Sequence, residues 1–177
     1  MKKSLNVFAI IISVLSICCA IGIVYLTFSS ELDALYIVES ISNLLALIYA
    51  FFYLINGYKK DFATYYKIAM LVNAVNALVV TALSSNEATK YISIISCAIC
   101  FGAILTLALA KNLGKSTSIT LCLIVIVLRT MGIVSCFMAS ATLDINLILM
   151  LSQLVLALVI LLATIAKYVD KQERNTI

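Results

Sequence analysis

Histidine, proline and tryptophan are absent from the 177 residues of this chain, glycine occurs five times, and only 11% of the residues are charged. Each shortage excludes something. Without histidine there is no His-based triad, no imidazole metal ligand and no imidazole general base. Without proline, and with so little glycine, the sequence lacks the broken-helix signature that marks binding sites in many secondary transporters, so continuous helices are expected. No Gly-rich phosphate loop is present, and Asn86-Glu87-Ala88 is not a glycosylation sequon. An ordinary soluble domain is about 25% charged and about 45–50% apolar. Here 64% of the residues are apolar and the mean hydropathy is +1.18. A soluble fold of this size cannot hide that much apolar surface. Lipid is the solvent that fits.

What the sequence does contain is six apolar runs, at 5–28, 36–57, 66–83, 91–110, 117–138 and 146–166. Each is close to the ~20 residues needed to cross the hydrocarbon core. None shows the alternating ten-residue segments of a membrane β-barrel. The breaks between runs are short, which makes successive helices antiparallel neighbours. The expected fold is therefore all-α: a six-transmembrane-helix bundle of three antiparallel hairpins, with residues 1–177 forming a single membrane domain. The apolar run behind Lys2 and Lys3 is longer than the 7–15 residues of a signal-peptide core and has no A-x-A-like site, so a retained first helix is expected.

Lys and Arg fall almost entirely at one end of such a bundle. Lys2, Lys3, Lys59, Lys60, Lys67, Lys111, Lys115, Lys167, Lys171 and Arg174 gather there, whereas the other end has Lys90 beside Glu31, Asp33, Glu87 and Asp144. The positive-inside rule makes the basic end cytoplasmic, so both termini are expected in the cytoplasm of a multi-pass cell-membrane protein. Tyr58, Tyr65, Tyr66 and Tyr168 mark the inner headgroup level, and Tyr25, Phe28, Tyr36 and Tyr91 the outer one. This asymmetry accounts for the net charge of +4. A nucleic-acid partner would require a clustered basic patch with interleaved aromatics, and none is visible.

Polar residues inside the spans single out one layer. Counting inward by helical rise places Arg129 ~13 Å from the outer boundary, Asn43, Asn76 and Gln153 at ~10 Å, Asn73 at ~15 Å and Glu39 at ~5 Å. Glu39, Ser42, Asn43 and Ala46 share one face of the second helix, Asn73 and Asn76 one face of the third, and Asn146 and Gln153 one face of the sixth. Arg129 is the only basic residue deep in a span, where a charge costs ~2.5–3.5 kcal/mol. Glu39 is its nearest acidic candidate in depth. Gly132 and Cys136 share the Arg129 face and are expected to admit a neighbouring helix closely. Read as a site, Arg129 meets an anionic group, Glu39 balances it, and Asn43, Asn73, Asn76 and Gln153 supply hydrogen bonds. Read structurally, the amides are interhelical glue worth ~0.6 kcal/mol each.

Cys97 and Cys100 form a CxxC in the fourth span. In this it is similar to membrane thiol oxidoreductases of the disulfide-generating quinone type, which also use a second cysteine pair in an outer loop; every outer loop here lacks cysteine. In length, span number and outer polar layer the chain is broadly similar to the substrate-capture subunits of energy-coupling-factor vitamin transporters. Those subunits dock through small residues on the first helix. Here Ala9-x3-Ser13 and Ser16-x3-Ala20 have the spacing, without that family's alanine motif. The leading expectation is a small-ligand binding or transport component that takes a small polar or anionic ligand. The alternatives are a non-catalytic membrane accessory, immunity or assembly protein and, third, a membrane thiol–disulfide redox protein. No cofactor or resident metal is expected. The expected partners are the lipid bilayer and a membrane protein or a second copy of the chain.

Overall fold

The computed structural model describes residues 2–29, 33–84, 90–110, 113–140 and 145–174. Six α-helices account for nearly all of them: α1 (Lys2–Ser29), α2 (Ala34–Ile55), α3 (Lys60–Ser84), α4 (Lys90–Leu109), α5 (Lys115–Ser140) and α6 (Ile145–Arg174). All six are long and apolar enough to cross a membrane, which makes this a multi-pass membrane protein by helix length and hydropathy. In hydrocarbon an unpaired backbone amide has no water to turn to, so each span satisfies its own peptide groups as a helix. Two helices exceed their apolar runs by a turn or more. α3 starts at Lys60 rather than at 66, and α6 runs on to Arg174 rather than stopping at 166.

Sequential helices pack as hairpins, α1 closes on α6, and α2 also meets α6 across the interior. Among the described residues α3 and α6 do not pack backbone to backbone, so any link between them must be made by side chains. The α2–α3 hairpin turns at Asn56–Lys59, where Gly57 and Tyr58 both adopt φ +63°. Glycine accepts this conformation freely, but tyrosine does not. Tyr58 is held there by its hydroxyl, which donates to Asn6 Oδ1 at 2.8 Å, and by edge-on packing against the Tyr53 ring.

The interior combines small and polar residues with a set of buried aliphatics, while many other large aliphatic side chains face outward. Ala9, Ser13, Ala46 and Ala50 are fully buried, whereas Leu15, Val7, Ile92 and Met131 are more than half exposed. Small residues let lipid-solvated helices approach closely. The Ala9/Ser13 and Ser16/Ala20 pairs follow this rule within the chain: all four are buried, and Ala9 packs with Leu54 and Ala163. The stripe the sequence offers for docking a partner is thus occupied by the chain's own helices.

Ala46 lies on the α2 face that carries Asn43 and belongs to one buried cluster with Leu47, Ala50, Leu156 and Val159. Ala46→Leu is expected to destabilise the bundle by about 1–3 kcal/mol through overpacking. The outward-facing Leu45→Ala is expected to change stability by less than about 0.5 kcal/mol. Thermal unfolding of the two variants side by side in detergent checks the contrast.

Candidate functional site

A polar layer lies on the Glu39 side of the α2–α6 contact. On α2 the 3–4 spacing of Glu39, Ser42 and Asn43 turns all three inward, and each is at least nine-tenths buried. Asn73 comes from α3, and Ser152 and Gln153 from α6, all equally buried.

The centre of the layer is a reciprocal carboxamide pair. Asn73 Nδ2 donates to Gln153 Oε1 at 2.9 Å, and Gln153 Nε2 donates back to Asn73 Oδ1 at 3.1 Å. Gln153 Nε2 also donates to Glu39 Oε1 at 3.2 Å, and the Ser42 hydroxyl donates to Asn73 Oδ1 at 3.1 Å. These bonds span the gap between α3 and α6, whose backbones do not approach closely. Asn43 Nδ2 donates to Ser152 Oγ, but Asn43 Oδ1 is sealed from solvent and has no hydrogen-bond partner. A buried carbonyl left unpaired is uncommon and costly.

Arg129 stands apart from this network. It is partly buried on α5, and its Nη1 donates to Cys97 Sγ on α4 at 3.7 Å. The Cys97 sulfur also lies 3.2 Å from the Thr81 hydroxyl of α3. The direct Arg129–Glu39 ion pair expected from their depths is not formed. Among the described residues no carboxylate oxygen comes within 4.0 Å of the guanidinium. Glu39 instead accepts from Gln153, although it remains within Coulombic range of Arg129.

Four of the six candidate residues, Glu39, Asn43, Asn73 and Gln153, thus belong to one layer. Asn76 is only partly buried and bonds to none of them. Ser152, next to Gln153 on α6, was not singled out by the sequence; depth alone gives it no prominence. The close helix approach expected at Gly132 is absent, since a methyl group added there meets nothing within 4 Å. The side chains of Cys136 and Asn146 lie outside the described residues. Cys97 and Cys100 are both buried free thiols. Among the described residues, no group of three or more acidic or cysteine side chains is placed to hold a metal ion.

Comparison with protein-family models, with curated proteins and with solved structures finds no match.

Proposed function

We propose that this chain is a small-ligand binding or transport component of a cell membrane, that its termini are cytoplasmic, and that its ligand carries an anionic group. The ligand sits in the polar layer of the outer half. The observation that carries this reading is the incomplete satisfaction of that layer. Arg129 has a sulfur as its hydrogen-bond partner, Glu39 accepts from one amide, and Asn43 Oδ1 accepts from nothing. Ionisable residues inside a membrane usually pair with one another or with backbone carbonyls, and they mark ligand or ion pathways. Here the cation and the carboxylate are near but unpaired, which suits a guest that enters between them. Arg129 meets the anion, Glu39 balances the charge, and Asn43, Asn76 and the Asn73–Gln153 pair offer hydrogen bonds.

One observation favours a second reading. The Asn73–Gln153 pair is reciprocally satisfied, as expected of glue in a non-catalytic accessory or assembly protein. A thermal-shift screen of the detergent-purified protein against small anionic and zwitterionic metabolites separates the two. A true ligand present at ~100 times its Kd stabilises the folded state by ~2.7 kcal/mol. The expected result is stabilisation of the wild type by at least one compound and loss of that shift in Arg129→Leu. A blank panel, with Arg129→Leu folded and at least as stable as the wild type, would transfer the assignment to the accessory protein.

A further inference from the structure

At the opposite, basic end of the bundle a cavity of about 120 Å³ opens between α2, α3, α4, α5 and α6. Its wall includes Lys67 from α3 and Lys167 from α6, with Ser118, Thr164 and Tyr168 beside them, and among the described residues it contains neither Asp nor Glu. Two like charges thus share one wall. Two flexible lysines at a lipid–water boundary are free to splay apart, so holding both over one depression favours a guest of opposite charge.

A second feature of the wall points the same way. Tyr66 is 93% buried by its 7% exposure, is stacked on Tyr53 with ring centroids 5.2 Å apart, and carries a hydroxyl without a hydrogen-bond partner. Two neighbouring hydroxyls on α6 are already engaged. Tyr168 donates to Leu113 O at 2.7 Å, and Thr164 donates to Ile160 O at 2.8 Å. Tyr66 is therefore an uncommitted donor just behind the wall, sealed from solvent and reached only when the wall gives. The volume is well below the ~300–1,000 Å³ of pockets that enclose a drug-sized molecule, so it suits one compact anionic group.

We propose that this cavity binds a phosphate monoester group, held between Lys67 and Lys167 with Tyr66 behind them. At neutral pH such a group carries about −1.5 to −2 charges, which matches two ammonium groups better than a carboxylate or a phosphodiester does. The group belongs either to a lipid headgroup in the cytoplasmic leaflet or to a soluble phosphate compound. Its site is separate from the outer polar layer, so each can fail without the other.

The test uses the full chain in phosphatidylcholine nanodiscs and reads thermal stability in three arms: inorganic phosphate added to the buffer, phosphatidic acid included in the disc, and phosphatidylglycerol as a diester control. Stabilisation by phosphate identifies a soluble ligand. Stabilisation by phosphatidic acid beyond phosphatidylglycerol, without a response to phosphate, identifies a headgroup. In either case Lys67→Gln/Lys167→Gln is expected to weaken the apparent affinity about 10–30-fold. Tyr66→Phe, which keeps the ring stack, is expected to weaken it by less. The proposal is overturned if neither phosphate nor phosphatidic acid stabilises the wild type, if phosphatidylglycerol does as well as phosphatidic acid, or if the double variant responds like the wild type. The double variant removes a repulsion, and its unliganded melting temperature, at or above that of the wild type, shows that lost binding is not lost folding.

Discussion

Gln153→Leu is expected to destabilise the helix bundle by about 2–4 kcal/mol, although leucine is the residue lipid-spanning helices accept most readily. Gln153 exchanges two hydrogen bonds with Asn73 and donates a third to Glu39. A single interhelical hydrogen bond in a membrane protein contributes only ~0.6 kcal/mol on average, so the three bonds alone account for roughly half of the effect. The rest comes from what is left behind. Ser42 still donates to the Asn73 oxygen, but the Asn73 amide nitrogen stays buried with no replacement acceptor, and one stranded group costs about 1–3 kcal/mol. The double variant Asn73→Leu/Gln153→Leu is expected to recover part of the loss, because replacing both members of a buried polar pair by apolar groups leaves fewer orphans than replacing one. Unfolding of the four proteins of this cycle, titrated with a denaturing detergent, gives the coupling energy directly. A loss below about 0.5 kcal/mol in Gln153→Leu, the size of an ordinary surface change, would mean that the pair does not hold α3 to α6.

The extent to which this fold and site could be read from sequence follows from what each kind of signal measures. Lipid imposes a length on every span, so the six helices and their hairpin order were legible in the apolar runs. Helix ends were less so. Hydropathy locates the hydrocarbon edge, whereas a helix continues for as long as its backbone bonds are made, which is why α3 begins at Lys60 and α6 continues past Lys167. Depth along a helix axis is similarly readable, and it brought Glu39, Asn43, Asn73 and Gln153 to one layer. Direction around the axis is not. Arg129 has nearly the right depth to meet Glu39, yet its guanidinium turns to Cys97 on α4. Tyr65 and Tyr66 show the same limit. Both sit at the headgroup level by sequence, but successive helical positions diverge by about 100°, so Tyr65 is 56% exposed while Tyr66 stacks on Tyr53 inside the bundle. The basic-end cavity is not legible in the sequence, because lysines at this level have the pattern of headgroup anchors and only the fold turns Tyr66 inward.

The orientation of the chain gives the other prediction with an all-or-none readout. Ten Lys and Arg residues belong to the basic end and one to the other. Holding a basic loop on the cytoplasmic side is favoured during insertion, and the bias is counted over short loops such as these. Asp33→Cys and Lys59→Cys place a thiol at opposite ends of α2 on exposed positions. The Asp33 side chain makes no capping hydrogen bond to α2, so its loss leaves the helix start intact. The native Cys18 and Cys19 lie well inside the first span, where no water supports the thiolate that alkylation requires, and Cys136, just past the outer end of the fifth span, is replaced by serine in both variants. In intact cells a membrane-impermeant maleimide is expected to label Asp33→Cys and to leave Lys59→Cys unmodified until the membrane is opened. The reverse pattern would place Lys67 and Lys167 outside the cell and turn the polar layer of Glu39 and Gln153 toward the cytoplasm. Both proposed sites would then face the wrong compartments: the phosphate site would lose its cytoplasmic leaflet, and a capture component would offer its ligand site to the side it is meant to supply.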